Sequence, residues 1–451
     1  MKCILMTRFI KNFLFSAGVM LLSAGANAQI NDRDTVIPEY VQQRAAIRNT
    51  RVFFDGDQSR LSPSQESVYR LINKFYLDQF RHSQDPKIPY FMFMSKDAGV
   101  AMGIGGVVRM RAWYDWNGYL PSNGFSIYTI QIPKNPADMR RLGYTPSGTA
   151  LFYTILGRNK ILGEYMGYIQ GNFTGYNNVG FRLKKAYFTF RDWTVGYAPS
   201  TFSDPAAEPP VLDGQGPSAE MSKTNVLVRW LHTSRHGLVY GGSVELSSSQ
   251  TDTGEATKTE SRPTFLPDLA AMLQYQWNSG KSHVRLSGLL RGIGYRDLVA
   301  RQNHTIVGWG IQASAVAKIV NPLTMYGIVS YGRGHSSYSG DLSVGNYDLV
   351  ARPGKPGELY APPMVGFTWG ATYYFRPNLY ATVALGELRY LPKYTPDDTE
   401  YKDGLYGAVN CQWEVTPRMT CGLEYLAGKR MNFNGAHGNA NRVNAMVQLS
   451  F

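Results

Sequence analysis

The sequence predicts an all-β protein: a transmembrane antiparallel β-barrel of sixteen strands, with a short N-terminal helical segment on the periplasmic side. Three observations predict it. In the closing stretch, 441–451, Val443, Ala445, Val447, Leu449 and Phe451 alternate with Asn444, Met446, Gln448 and Ser450. A period of two sends the apolar set to lipid and the mostly polar set to a watery interior. From about Val100 onward, segments of strand length are separated by tight turns and long polar loops in alternation. Beyond the leader, the chain has no apolar run of helix-spanning length, and its mean hydropathy is −0.27. Hydrocarbon tolerates only structures that pair every backbone polar group, and without helices a closed barrel is left.

Residues 1–28 read as an export signal. Lys2, Arg8 and Lys11 make a positive start, Phe13 to Leu22 a short apolar core, and Ala26-Asn27-Ala28 a small-residue cleavage site before Gln29. The 46 basic and 33 acidic residues become 43 and 33 once the leader's three cations are removed, a net charge of +10. Export argues against nucleic acid as the partner of that charge; inside a pore it would attract anions.

Residues 29–98 form a separate segment. Ser62-Pro63-Ser64-Gln65 is a helix-start pattern. Val68, Leu71, Ile72, Phe75, Tyr76 and Phe80 follow at helical spacing, predicting a helix that ends before Pro86. A periplasmic linker helix is the first reading; packing under the barrel, plugging the lumen and aiding trimer association stay open.

Residues 99–451 form the barrel. Tight turns fall near 158–159, 191–192, 235–237, 278–280, 321–322, 377–378 and 416–417. Seven such turns alternating with eight loops make sixteen strands. These are 102–116, 148–156, 161–173, 179–190, 193–199, 224–232, 238–247, 269–277, 283–296, 305–319, 323–335, 363–375, 379–391, 405–415, 419–433 and 441–451. Cys411 and Cys421 flank the last tight turn almost symmetrically, so a disulfide is possible in an oxidising compartment. Their parity with Val409, Trp413, Leu423 and Tyr425 favours two small lipid-facing residues instead.

Inward charges follow from the same parity. Arg109, Arg111 and Asp115 oppose Val108, Met110 and Ala112; Arg182 and Lys184 oppose Phe181 and Leu183. Arg229 opposes Val228 and Trp230, and Arg285 and Arg291 oppose Leu286 and Leu290. A charge facing lipid at the midplane costs roughly 2–4 kcal/mol, so these eight are expected to line a channel. Lys185 breaks the pattern and is expected at the periplasmic rim or in a subunit contact.

The stretch Phe181-Arg182-Leu183-Lys184-Lys185-Ala186-Tyr187, then Trp193 to Phe202, then Ser203-Asp204-Pro205, Pro209-Pro210, Leu212-Asp213 and Gly216-Pro217 resembles the DcaP-like porins of Gram-negative outer membranes. One departure is Gly196 to Ser200, where that family usually carries a Gly-Gln-Thr-x-Ser run. The resemblance implies a homotrimer of sixteen-stranded barrels in the cell outer membrane, passing small, mainly anionic solutes. It also implies that residues 201–222 fold into the lumen as a constriction. Pro205, Pro209, Pro210, Pro217, Gly214 and Gly216 make that loop stiff and unable to join a ladder. Its acids Asp204, Glu208, Asp213 and Glu220 would face the basic wall and set up a transverse field. The aromatic carboxyl-terminus Phe451 resembles the signal by which such barrels are handed to the barrel-assembly machinery.

The expectation is therefore passive diffusion through a pore set in outer-membrane lipids, with no catalytic residue, metal or cofactor. Other classes compete. An outer-membrane enzyme needs a Ser/His or Asp/His set at the rim, and the seven His here fall in no such motif. An adhesion or structural barrel would act through the loops 248–266 and 340–359, which are long and polar, as extracellular loops usually are.

Overall fold

In the computed structural model, residues 100–451 are described apart from 119, 175–179, 235, 264–265 and 279–280. Before residue 100 the description covers 51–54, 63, 68, 70–72, 89 and 91–94. The export signal and its cleavage site lie outside the described residues.

Sixteen strands hydrogen-bond, each to the next in antiparallel order, and the last pairs with the first. They are β1 Val100–Trp116, β2 Ala150–Asn159, β3 Gly163–Phe173, β4 Phe181–Phe190, β5 Trp193–Pro199, β6 Thr224–Thr233, β7 Leu238–Leu246 and β8 Asp268–Trp277. Then follow β9 Ser282–Asp297, β10 Gln302–Val320, β11 Leu323–Arg333, β12 Pro363–Arg376, β13 Leu379–Tyr390, β14 Tyr401–Glu414, β15 Met419–Asn432 and β16 His437–Ser450. Every predicted strand is present. At the tight turns, Arg191 (φ 50°), Gly237 (φ 81°) and Asn278 (φ 54°) take the left-handed backbone that such reversals need. At the opposite end two connections, 298–301 and 433–436, are far shorter than the long loops expected there, because β9, β10, β15 and β16 run on as paired ladders. A strand not foreseen, Arg140–Thr145, returns from the first loop to pair with the outer half of β1.

The seam between β16 and β1 closes the ring. Gln448 lies opposite Arg109 and Met446 opposite Arg111. Beyond the strand, Phe451 and Gly106 exchange both backbone hydrogen bonds, at 2.8 and 2.9 Å. The Phe451 ring covers Gly106 so closely that a Cβ there would stand 2.3 Å from it, which only glycine permits. Val443, Val447 and Leu449 are exposed on the outer face, whereas Asn444 and Met446 are buried within.

The break at Lys185 has a local cause. β3 and β4 slip register between Gln170 and Gly171, so that Lys185 pairs with Gln170, Leu183 with Gly171, and Lys184 is the extra residue of a β-bulge. Paired residues share a face, and Phe181 and Leu183 are exposed outside. The bulge therefore brings Lys185 to the inner face together with Arg182 and Lys184, rather than to the rim.

Cys411 and Cys421 are free. Cys411 pairs with Leu423 and Cys421 with Trp413, so the two sulfurs sit diagonally and two rungs out of register. Residues Pro63, Val68, Arg70, Leu71 and Ile72 are helical, as predicted. Val68, Leu71 and Ile72 are buried against Met92, Met94, Ala101 and Leu156. Ala101 and Leu156 are opposite one another on the inner face at the short-turn end, so the helix packs into that mouth of the barrel.

At the other end the seam holds a buried ion pair. Arg442 of β16 and Asp115 of β1 are register partners, and two guanidinium nitrogens meet the two carboxylate oxygens at 2.6 and 2.9 Å. The same guanidinium donates to the carbonyls of Ser122 and Asn123, which draws the first loop inward. Breaking a buried pair by removing one partner costs about 3–5 kcal/mol. Arg442→Met should lower the urea midpoint of barrel unfolding in lipid vesicles, followed by tryptophan fluorescence. Arg442→Met combined with Asp115→Leu should recover most of that loss; an additive loss would show that the pair is not what holds the seam.

Candidate channel constriction

Residues 200–223 leave β5, travel round the inner wall and return to β6. The loop is pinched at its base, where the Ser200 amide donates to the Lys223 carbonyl at 2.9 Å. Glu245 of β7 accepts from the Thr201 amide, the Ser243 hydroxyl and the Asn225 amide group. The buried Phe202 offers its carbonyl to Ser287 and Gln312. Asp204 follows, bound by His283 Nε2 at 2.8 Å, the Ser314 hydroxyl at 2.5 Å and Arg285 Nη2 at 3.3 Å. Burial on its own would raise the affinity of Asp204 for a proton; Arg285 and His283 outweigh it and hold the carboxyl far below its usual range.

A short 3-10 turn, Pro205–Ala207, then packs on Val316 and Ile328, and the Pro209 ring lies on Gly370, where a Cβ would meet it at 2.4 Å. Asn410 donates to the Pro210 carbonyl. At the tip, Leu212 is clamped from both sides: its amide donates to Glu424 at 2.7 Å and its carbonyl accepts from Arg111 at 3.0 Å. Asp213 accepts the Phe125 amide from the first loop at 2.9 Å, and its burial raises its proton affinity despite Arg111 and Arg442 nearby.

A second loop, 334–349, folds inward over the first. This reverses the expectation that residues from 340 onward stand out as a polar surface loop: Tyr338, Leu342 and Leu349 are buried. Arg291 is its anchor. Its guanidinium reaches Asp268 at 2.8 Å, Asp348 at 3.1 Å and the Gly334 carbonyl at 2.9 Å. Asp348 also accepts the Gln250 and Ser337 amides, and Arg291 holds its carboxyl below the usual range against the effect of burial. Asp341 accepts from Ser126 and the Ile127 amide, and burial pushes its carboxyl up to about 7. The two inward loops are sewn together by the Gly340 amide to the Glu220 carbonyl and the Ser222 amide to the Tyr338 carbonyl, each 2.8 Å.

This path sorts the residues predicted to line a channel. All eight face inward. Arg111, Asp115, Arg229, Arg285 and Arg291 are covered, at 5, 1, 0, 2 and 3% exposure, and are in the main bound to loops or seam rather than bordering open lumen. The reason is that the loops lie against β9–β15 and the head of β1, where Arg111, Asp115, Arg285 and Arg291 project; Arg229 of β6 instead donates to the Pro199 carbonyl at the end of β5. Arg109, Arg182 and Lys184 keep exposed surface, on a wall the loop does not cover, and the bulge adds Lys185 beside them. Arg109 is itself steadied by Gln448 across the seam. Of the four loop acids, Asp204 and Asp213 are enclosed, and Glu208 and Glu220 are half-buried. Residues that parity could have supplied but that went unread are Arg442 and Glu424, which share the inner face with Asn444. Asp341 and Asp348 carried no signal, because nothing periodic marks a loop that turns inward.

Comparison with known proteins agrees with this architecture. No protein-family model matches the chain, and no curated protein matches it. Among solved structures, it is similar to the outer membrane channel DcaP of Acinetobacter baumannii, with a TM-score of 0.69 and 22% identity over 80% of this chain and 99% of that one. The fold is that of the outer-membrane porins. An anion-selective porin from Comamonas acidovorans aligns with a TM-score of 0.50 and 10% identity, over 78% of this chain and all (100%) of that one. At such identities the likeness is one of fold. It agrees with the DcaP-like resemblance carried by residues 181–217.

Asp204→Asn should test the anchoring. It leaves Arg285 buried without its counter-charge, a loss of about 3–5 kcal/mol from loop attachment. Protease added to folded barrels should then cut within 201–222, whereas the unaltered protein should resist. Because the carboxyl of Asp204 is depressed, its contribution is complete above about pH 4 and is lost only as the pH falls well below that, through the depressed value. A loop that loosens between about pH 4 and about pH 6 would contradict this anchoring.

Proposed function

We propose that the protein is an outer-membrane porin that admits small hydrophilic solutes by passive diffusion and favours anions. The observation that carries this reading is the division of charge at the constriction. Asp204 and Asp213 are drawn into the wall beside buried cations, whereas Arg109, Arg182, Lys184 and Lys185 occupy the wall left uncovered. A solute passing the loop meets a basic surface, in a narrow passage whose low-dielectric walls concentrate its field. The net charge of +10 beyond the leader has the same sign. The reading also has the chain working as a homotrimer, surrounded by outer-membrane lipid and inserted by the barrel-assembly machinery through Phe451.

Planar bilayers test it. The reversal potential in a KCl gradient should show chloride favoured over potassium. Arg182→Ser or Arg109→Ser should each reduce the permeability ratio about twofold, the effect of one charge some 10 Å away in water. Folded barrels that conduct nothing, even after deletion of residues 29–98, would overturn the proposal.

A further inference from the structure

Anchoring explains Asp204 and Asp213 but leaves Glu208 and Glu220. Glu208 stands on the outgoing limb of the loop, between Ala207 on Ile328 and Pro209 on Gly370. Glu220 stands on the returning limb, after Ala219, which lies against Gly366. Gly366 and Gly370 belong to one strand, β12, so the two limbs cross it within four residues of each other. There the two carboxyl groups hydrogen-bond to each other. An ionised carboxylate only accepts, so this bond requires a proton on one of them. The Glu220 carboxyl lies over Gly216, which has φ 77° and where a Cβ would stand 2.1 Å from Oε2.

The charges around the pair are few. Lys185 of β4 acts on Glu208, and Asp204 lies further back on the same limb. Asp213 of the tip acts on Glu220, Ser222 bonds to it, and Tyr406 of β14 lies within its field. Lys185 comes from the inner face of β4, and its charge lowers the proton affinity of Glu208.

We infer that Glu208 and Glu220 are the residues through which the anion preference of the pore responds to pH. The inference rests on the porin reading and deepens it. With the proton in place the two limbs are bonded and the loop presents little negative charge to the passage. Each proton lost adds a negative charge within the field of Lys185, which disfavours anions. Burial, and then the like charge of the partner, raise the proton affinity of Glu208 well above that of a solvated glutamate; burial pushes Glu220 up to about 7. The protons leave in steps that belong to the pair. Because the affinity is raised, the bond is complete in acid and is lost as the pH rises through neutrality.

The test is the chloride-to-potassium permeability ratio between about pH 5.5 and about pH 8.5, a window either side of the raised value. In the unaltered protein it should fall about twofold for each charge gained. The double variant Glu208→Gln with Glu220→Gln keeps an amide-to-amide bond between the limbs and cannot ionise. It should hold the acid-side ratio throughout, and its heat-modifiable electrophoretic mobility should confirm folding. A flat ratio in the unaltered protein overturns the inference. So does a response that survives in the double variant, which would then belong to another carboxyl. In both cases conducting barrels leave the porin reading standing; barrels that never conduct overturn that reading instead.

Discussion

Backbone pairing in hydrocarbon governs this molecule. Every N–H and C=O within the membrane needs a partner from the chain itself, so the sheet must close, and closure here comes down to the seam of β16 with β1. The seam runs to the Phe451–Gly106 pair at one end and is capped by Arg442–Asp115 at the other. Once the ring is closed, a period of two decides the fate of every side chain: out to lipid or in to the lumen.

The lumen is then too wide to be filled by wall residues alone, and loops occupy it. Loops carry unpaired backbone groups that an apolar interior would not accept. The inward charges solve this. Arg285 takes the Ser203 carbonyl, Arg111 that of Leu212, Arg291 that of Gly334 and Arg442 those of Ser122 and Asn123. Glu424 and Asp348 receive the complementary amides. Most of the arginines of this wall thus serve as backbone receptors for the loops, and the anion-facing surface is left to the few basic side chains beyond their reach.

Small residues complete the arrangement. Gly370 receives Pro209, Gly366 receives Ala219, and the paired Gly310 and Gly332 receive the ring of His335. That imidazole is fully buried, and burial lowers its proton affinity to about 4, so it stays neutral at the pH of most media. Where a Cβ would stand within about 3 Å of the loop, the wall has none, and the loop can lie flat against it.

Residue alternation and the count of tight turns together determined the barrel and its strand number, and alternation the inward direction of Arg109, Arg111, Arg182, Arg229, Arg285 and Arg291, because a closed sheet in lipid leaves a charge only one way to point. Parity misplaced Lys185, since a bulge is a one-residue slip between two strands and belongs to neither sequence alone. It also could not separate Arg182, which keeps its exposure, from Arg285, which is buried: both face inward, and the difference is whether a loop from elsewhere comes to lie on them. The Glu208–Glu220 bond has the same character. Twelve positions apart on a proline-rich stretch, the two carboxyls meet only because the wall folds the loop back on itself. Local periodicity decided direction; contact between segments distant in the chain decided environment, and with it the charge that each group presents to the passage.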